Sequence, residues 1–200
     1  MISKLCLLLI LLVSSLTLAN RSEAASSNLE KATFAGGCFW CIEAVYQDIN
    51  GVSEAISGFI GGTLKNPSYS GNHSGHYEAV EVTYDPSVIS YQALLDLYWV
   101  NIDPFDNEGQ FCDKGPSYRS AIFVNGPDQK KAATVSREAV SFKFPDDRVY
   151  TEILDSTKFY PVEEYHQDYY KKNPLRYKFY RTGCRRDNRL NEIWGDAASH

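Results

Sequence analysis

Past residue 30 the apolar positions fall first into a period of two. Lys31-Ala32-Thr33-Phe34 alternates and predicts a short strand. Gly36-Gly37 then turns the chain, and Cys38 to Gln47 predicts a helix. Val52 to Ile60 alternates again and ends at Gly61-Gly62. A long polar loop follows from Gly61 to Gly75, and Ala79 to Tyr84 predicts a third strand with Val80 and Val82 on one face. Ser90 caps a helix whose apolar face holds Leu94, Leu95, Leu97, Tyr98 and Ile102. A second long loop, Asp103 to Tyr118, leads to a strand over Arg119–Val124. These six elements run β-α-β-β-α-β, which predicts an α+β fold: a ferredoxin-like two-layer sandwich with helices on one face of an antiparallel sheet. Beyond it come an extra helix from Asp128 to Val140, a possible extra strand at Val149–Leu154, and a long C-terminal tail. The tail, Phe159 to Gly195, is aromatic and basic. It reads as mostly loop, with one helix over Pro161–Tyr170.

The amino terminus differs in kind. Lys4 precedes an apolar run from Leu5 to Leu18, and small residues follow at Ala19 and at Ala24-Ala25. This predicts a secretory signal peptide over residues 1–24, shorter than the ~20 apolar residues of a membrane span. Residues 25–200 are then a single domain of an exported protein, periplasmic or secreted. The net charge of −5 gives no general drive toward nucleic acid.

Five cysteines are present, and Cys6 lies in the presequence. That leaves Cys38, Cys41, Cys112 and Cys184. Cys38 opens a helix, where the macrodipole and free N–H groups favour thiolate, the nucleophilic form. Gly36 and Gly37 lack side chains that would cover its sulfur. Cys112 reads as buried lining. Cys184 stands between Gly183 and Arg185-Arg186, cations that favour its thiolate.

Gly37-Cys38-Phe39-Trp40-Cys41, Asn66-Pro67-Ser68-Tyr69, Gly75-His76-Tyr77-Glu78-Ala79-Val80, the run from Gly109 to Ile122 containing Cys112-Asp113 and Ser117-Tyr118-Arg119, and Phe159 to Tyr170 together resemble the peptide methionine sulfoxide reductase A family. The resemblance covers Thr33 to Gly195 in the family's order. It implies reduction of methionine S-sulfoxide, free or in peptides, with Cys38 as nucleophile and Glu78 as acid. Such an acid must be protonated near neutrality, so Glu78 is expected in a dry place that raises its pKa. The resemblance further implies that Tyr69 and Tyr118 bond the sulfoxide oxygen, that Asp113 orients, and that Phe39 and Trp40 wall in the substrate methyl group. A sulfenic acid on Cys38 is then resolved by a second thiol. Cys41 ranks first for that role, Cys184 second and Cys112 third. A thioredoxin-like dithiol reductant completes the cycle. No cofactor or metal is implied, and the protein is expected to be a monomer.

Two other readings compete. Cys-x-x-Cys at a strand-to-helix turn is also a thiol–disulfide oxidoreductase arrangement, but Trp40 between the cysteines and the element order weigh against it. A zinc or disulfide-stapled binding module would ordinarily show two close ligand pairs, and only Cys38/Cys41 is close.

Overall fold

The computed structural model describes residues 28–198; the expected signal peptide at 1–24 lies outside the described residues. In chain order the elements are β1 (Glu30–Gly36), α1 (Phe39–Tyr46), β2 (Val52–Ile60), β3 (Tyr77–Tyr84) and α2 (Tyr91–Trp99). The short strands β4 (Gly109–Gln110) and β5 (Asp113–Lys114) form a hairpin of their own. Then come β6 (Ser120–Val124), α3 (Pro127–Lys143), β7 (Glu152–Asp155), β8 (Tyr160–Pro161), α4 (Tyr169–Lys172), α5 (Pro174–Gly183) and α6 (Arg186–Trp194).

The main sheet has six strands in the order β7-β6-β1-β3-β2-β8. Its four central strands, β6-β1-β3-β2, pair antiparallel throughout, which is the ferredoxin-like arrangement expected from element order. β7 adds in parallel beside β6, and β8 adds antiparallel beside β2. Alternation along the strands separates two apolar layers. Phe34, Phe59, Val80, Val82 and Ile122 join the core shared with the helices, whereas Ala35, Ile60, Ala79, Ala121 and Phe123 form a smaller cluster with Tyr77. Phe34 stacks on Tyr46 at 5.1 Å and on Tyr98 at 5.2 Å. Full burial of one such ring is worth about 1.5–3 kcal/mol. The two phenols keep partners when buried: Tyr46 donates to the Leu94 carbonyl at 2.9 Å and Tyr98 to the Ala35 carbonyl at 2.7 Å. Ser90 caps α2 by accepting the Ala93 N–H, as its position predicts.

The tail departs from expectation. Instead of loops with one helix over Pro161–Tyr170, that stretch holds β8, a 3-10 turn at Glu164–His166 and the start of α4, and two further helices follow. The reason lies in what the helices bury. α5 fully buries no residue, and its chain-facing side is Tyr177, Tyr180 and Arg181, so it shows no aliphatic stripe to read. α6 is anchored by Leu190, by Trp194 donating to the Ile102 carbonyl at 2.9 Å, and by a buried Arg186.

Side-chain hydrogen bonds fix the segment before α4. Gln167 Oε1 accepts the Ser57 N–H at 2.9 Å, and its Nε2 donates to the Ser57 and Val162 carbonyls at 2.9 and 3.0 Å. Glu43, buried on α1, accepts from the Ser57 hydroxyl and the Asp168 N–H, each at 2.6 Å. These bonds seat His166 beside the amino end of α1.

Candidate active site

The turn between β1 and α1 is built around two glycines that pack closely. Gly37 has φ +83°, and a Cβ there would lie 2.6 Å from Gln110 Cβ; one on Gly36 would lie 2.6 Å from Ile42 Cδ1. The glycines therefore admit neighbours and do not clear a path to sulfur, and Cys38 is only 7% exposed. Cys38 is the N-cap of α1, and the first free N–H of the helix, that of Phe39, donates to Glu78 Oε2 at 3.2 Å.

Glu78 lies in β3 opposite Phe59, on the same sheet face as Val80 and Val82. It is 1% exposed, and burial pushes its pKa up to about 8, with the charges of Asp113 and Cys41 adding to the rise and the Phe39 N–H opposing it. Desolvation outweighs the helix end here. Glu78 Oε1 has no hydrogen-bond partner, so one oxygen of a carboxyl that is protonated at neutral pH remains free to donate.

The two thiols are free and buried one helical turn apart, the Cys41 N–H donating to the Cys38 carbonyl at 3.1 Å, so each acts on the other's proton. Burial pushes the Cys38 thiol well up, and Cys41 pushes the same way. Cys41 is lowered to about 6, first by its neighbour Cys38 and then by the Arg186 and Arg181 guanidinium groups, against the effect of its burial. Burial thus opposes the thiolate predicted for Cys38, and the two guanidinium groups favour one on Cys41. Cys38 is the thiol beside it.

Phe39 and Trp40 do form an aromatic wall. Phe39 meets Phe59 at 6.0 Å and Tyr69 at 6.1 Å; Trp40 stacks on Tyr169 at 3.7 Å and meets Tyr180 edge-on at 5.8 Å. Tyr69 is 37% exposed, and its partial burial with the Glu78 charge pushes its pKa up to about 12, so its phenol stays a donor. Tyr118 ends the 3-10 turn at Pro116–Tyr118, and burial with the charges of Glu78 and Tyr69 raises it as well. Asp113 accepts from the Tyr180 hydroxyl, and burial raises its pKa. Both long loops therefore bring their expected residues to one place.

Cys112 and Cys184 are joined in a disulfide. Cys112 is exposed, which corrects its reading as buried lining, and Cys184 caps the end of α5. In this state Cys41 is the free thiol next to Cys38, and Cys184 is already paired.

Two residues near the thiols carried no role in the sequence reading. His166 is buried; its Nδ1 accepts from Trp40 Nε1 at 3.0 Å, its ring lies 4.1 Å from that of Tyr69, and burial lowers its pKa, so it is neutral near pH 7. Tyr180 reaches in from α5, donating to Asp113 and meeting the Trp40 ring edge-on. The dense aromatic run Tyr165 to Tyr170 was the available signal for His166; Tyr180 sits among ordinary-looking tail tyrosines.

Known proteins resemble this chain over most of its length. The family model described as "Peptide methionine sulfoxide reductase" matches residues 30–198. "Peptide methionine sulfoxide reductase MsrA 2" of Caulobacter vibrioides is 49% identical over 180 residues, covering 88% of this chain and 91% of its own. MsrA of Bacillus subtilis is 44% identical over 177 residues, covering 85% and 98%. Among solved structures, methionine sulfoxide reductase A of Corynebacterium diphtheriae superposes with a TM-score of 0.68 at 33% identity, over 76% of this chain and 78% of its own. Reduced Mxr1 of Saccharomyces cerevisiae gives 0.68 at 30%, over 74% and 87%.

Proposed function

This chain belongs to the peptide methionine sulfoxide reductase family, and from that premise we propose that Cys38 takes the oxygen from methionine sulfoxide while Glu78 supplies the proton. The observation that carries the assignment is the Glu78 carboxyl: buried, protonated at neutral pH, tied through Oε2 to the residue after Cys38, and free at Oε1.

The Cys38 proton passes to the neighbouring Cys41 thiolate, which serves as base. Cys38 sulfur attacks the substrate sulfur, and the sulfoxide oxygen takes the Glu78 proton. Tyr69 and Tyr118 donate to that oxygen as it gains charge, and Phe39 and Trp40 hold the methyl group. The oxygen ends as hydroxyl on Cys38, which is oxidised by two electrons, and the methionine thioether is restored. Cys41 then attacks the sulfenic sulfur; its proton leaves with the hydroxyl as water, and a Cys38–Cys41 disulfide forms. A thioredoxin-like dithiol protein reduces that disulfide. Cys184 takes part only if its bond to Cys112 opens by exchange.

The reading extends to the S epimer, to a monomer, and to an exported protein cleaved near residue 24; the Lys4–Leu18 pattern supports export. Amino-terminal sequencing from cell fractions and sedimentation test the last two. The chemistry is tested by assaying the purified protein on each sulfoxide epimer of a peptide with dithiothreitol. Wild type is expected to reduce one epimer, and Cys38→Ser neither. Retained turnover by Cys38→Ser would refute the mechanism.

A further inference from the structure

A sulfoxide sulfur is chiral because methyl, oxygen and side chain take different places around it. A site distinguishes the two epimers only if the group that holds the methyl and the group that holds the oxygen keep fixed places relative to one another. In the reading above those groups are Trp40 and Tyr69, and one buried side chain, His166, contacts both. Tyr169 stacks on Trp40 at 3.7 Å with the planes 6° apart, and Tyr180 meets it edge-on at 5.8 Å. Apolar contact of this kind is non-directional and does not fix the indole within its own plane. The single hydrogen-bonding group of the indole, Nε1–H, supplies the directional contact by donating to His166 Nδ1 at 3.0 Å.

Indole only donates, so Nδ1 accepts, and the neutral imidazole carries its proton on Nε2. Nε2 is buried and has no hydrogen-bond partner among the described residues, so the Trp40 bond is what selects the tautomer. The same ring packs on Tyr69 with centroids 4.1 Å apart and meets Phe39 edge-on at 5.5 Å. Its own place is fixed from the backbone. The His166 N–H donates to the Glu163 carbonyl at 2.9 Å, and the neighbouring Gln167 is bonded to both Ser57 and Val162. We infer that His166 is the positioning residue for epimer selection: its Nδ1 and its ring hold the Trp40 wall and the Tyr69 hydroxyl in one relation, in which the methyl and the oxygen of a single sulfoxide epimer both find their places. The inference rests on the roles of Trp40 and Tyr69 given above. His166 is 1% exposed, so it acts through those two side chains and not on the substrate.

The test compares His166→Phe, which keeps a ring against Tyr69 and lacks the acceptor, with His166→Asn, whose Oδ1 can accept where Nδ1 does. Peptide sulfoxides of each epimer are assayed with dithiothreitol as reductant. His166→Phe is expected to raise the KM for the preferred epimer about tenfold and to narrow the ratio of kcat/KM between the epimers about tenfold. His166→Asn should recover most of both. NMR of the imidazole and indole nitrogens in the wild type reads the bond without turnover: near pH 7 the proton should sit on Nε2, with Nδ1 bare and facing the Trp40 N–H. An epimer ratio unchanged in His166→Phe overturns the inference, as does an equal loss in both variants or a loss confined to kcat. So does a proton on Nδ1, an outcome that stands even if both variants fail to fold. A wild type that reduces neither epimer would sink the reductase reading itself, whereas normal turnover with an unchanged epimer ratio in His166→Phe sinks this inference alone.

Discussion

The Phe39 backbone N–H, the first of its helix, donates to the carboxyl of Glu78 from a strand thirty-nine residues on, at 3.2 Å. This bond joins the nucleophile's turn to the acid. Its N–H favours the charged carboxylate, yet burial prevails and holds the pKa near 8. Turnover limited by oxygen protonation should fall as pH rises through about 8, and Glu78→Gln should lose most activity at neutral pH while keeping its fold. A pH–rate profile of both proteins checks this.

The same shift has a stability sign. With a folded pKa near 8 against an ordinary 4.5, the folded protein holds a proton that the unfolded chain has released between those values. The stability tied to this proton is fully present below about pH 4.5. It is lost as pH rises through the folded pKa, at up to about 1.4 kcal/mol per unit. Glu78→Gln has no such loss. Denaturant melts at rising pH should therefore show the variant gaining on wild type up to about pH 8.

Arg186 is 2% exposed, donates to the Asn101 carbonyl at 2.6 Å and the Gly36 carbonyl at 3.3 Å, and lies over the Phe111 ring at 4.3 Å. Among the described residues no carboxylate forms an ion pair with it. A buried cation without a paired carboxylate draws stabilisation from a nearby anion, and Cys41 is lowered by it. Arg186→Gln should raise the Cys41 pKa by about one unit, and Arg186→Lys by less. The pH midpoint of Cys41 alkylation, located by tandem mass spectrometry, measures the change.

How far the sequence disclosed this site depends on which interaction placed each residue. β1 to β3 and α1 follow from alternation and a glycine turn, and these local signals put Cys38 and Glu78 on one side of one sheet. The motifs in both long loops likewise led to Tyr69, Asp113 and Tyr118. Three features depended on distant packing. Burial and Cys41 push the Cys38 thiol up, against the helix end that the local sequence shows. Cys112 lies exposed and pairs with Cys184, seventy-two residues away. α5 went unread because its inward face is phenols and a guanidinium, which no hydrophobic periodicity reports.

The Cys112–Cys184 bond closes a span of 72 residues and ties the Asp113 hairpin to the end of α5. By loop-closure entropy such a link is worth about 4 kcal/mol. Cys112→Ser/Cys184→Ser should therefore melt at lower denaturant and still form the Cys38–Cys41 disulfide. Chemical denaturation and peptide mapping after exposure to sulfoxide check the two halves separately.

Gly37 offers a backbone test. Its φ of +83° disfavours any side chain, and a Cβ would press within 2.6 Å of Gln110. Gln110 in turn holds the second loop, its Oε1 accepting the Asp103 N–H at 2.9 Å and its Nε2 donating to the Asp103 carbonyl at 2.7 Å. Gly37→Ala should cost about 1–3 kcal/mol and lower turnover, since the strain falls on the turn that places Cys38 and on the loop that carries Asp113. A change in stability without loss of rate would show that the loop absorbs the strain away from the thiol.

The resolving step is the most exposed to refutation. Cys41 is the free thiol one helical turn from Cys38, and in the proposed cycle it carries two duties, base for the attack and nucleophile for the sulfenic acid. Cys41→Ser removes both, so its first turnover should be slow and should stop with sulfenic acid on Cys38. One methionine is then released per protein, and a dimedone adduct forms at Cys38. Recycling by thioredoxin should fall far more than recycling by excess dithiothreitol, which attacks the sulfenic acid directly. Normal thioredoxin-driven turnover by Cys41→Ser would transfer the role to Cys184, and peptide mapping would then find a Cys38–Cys184 disulfide.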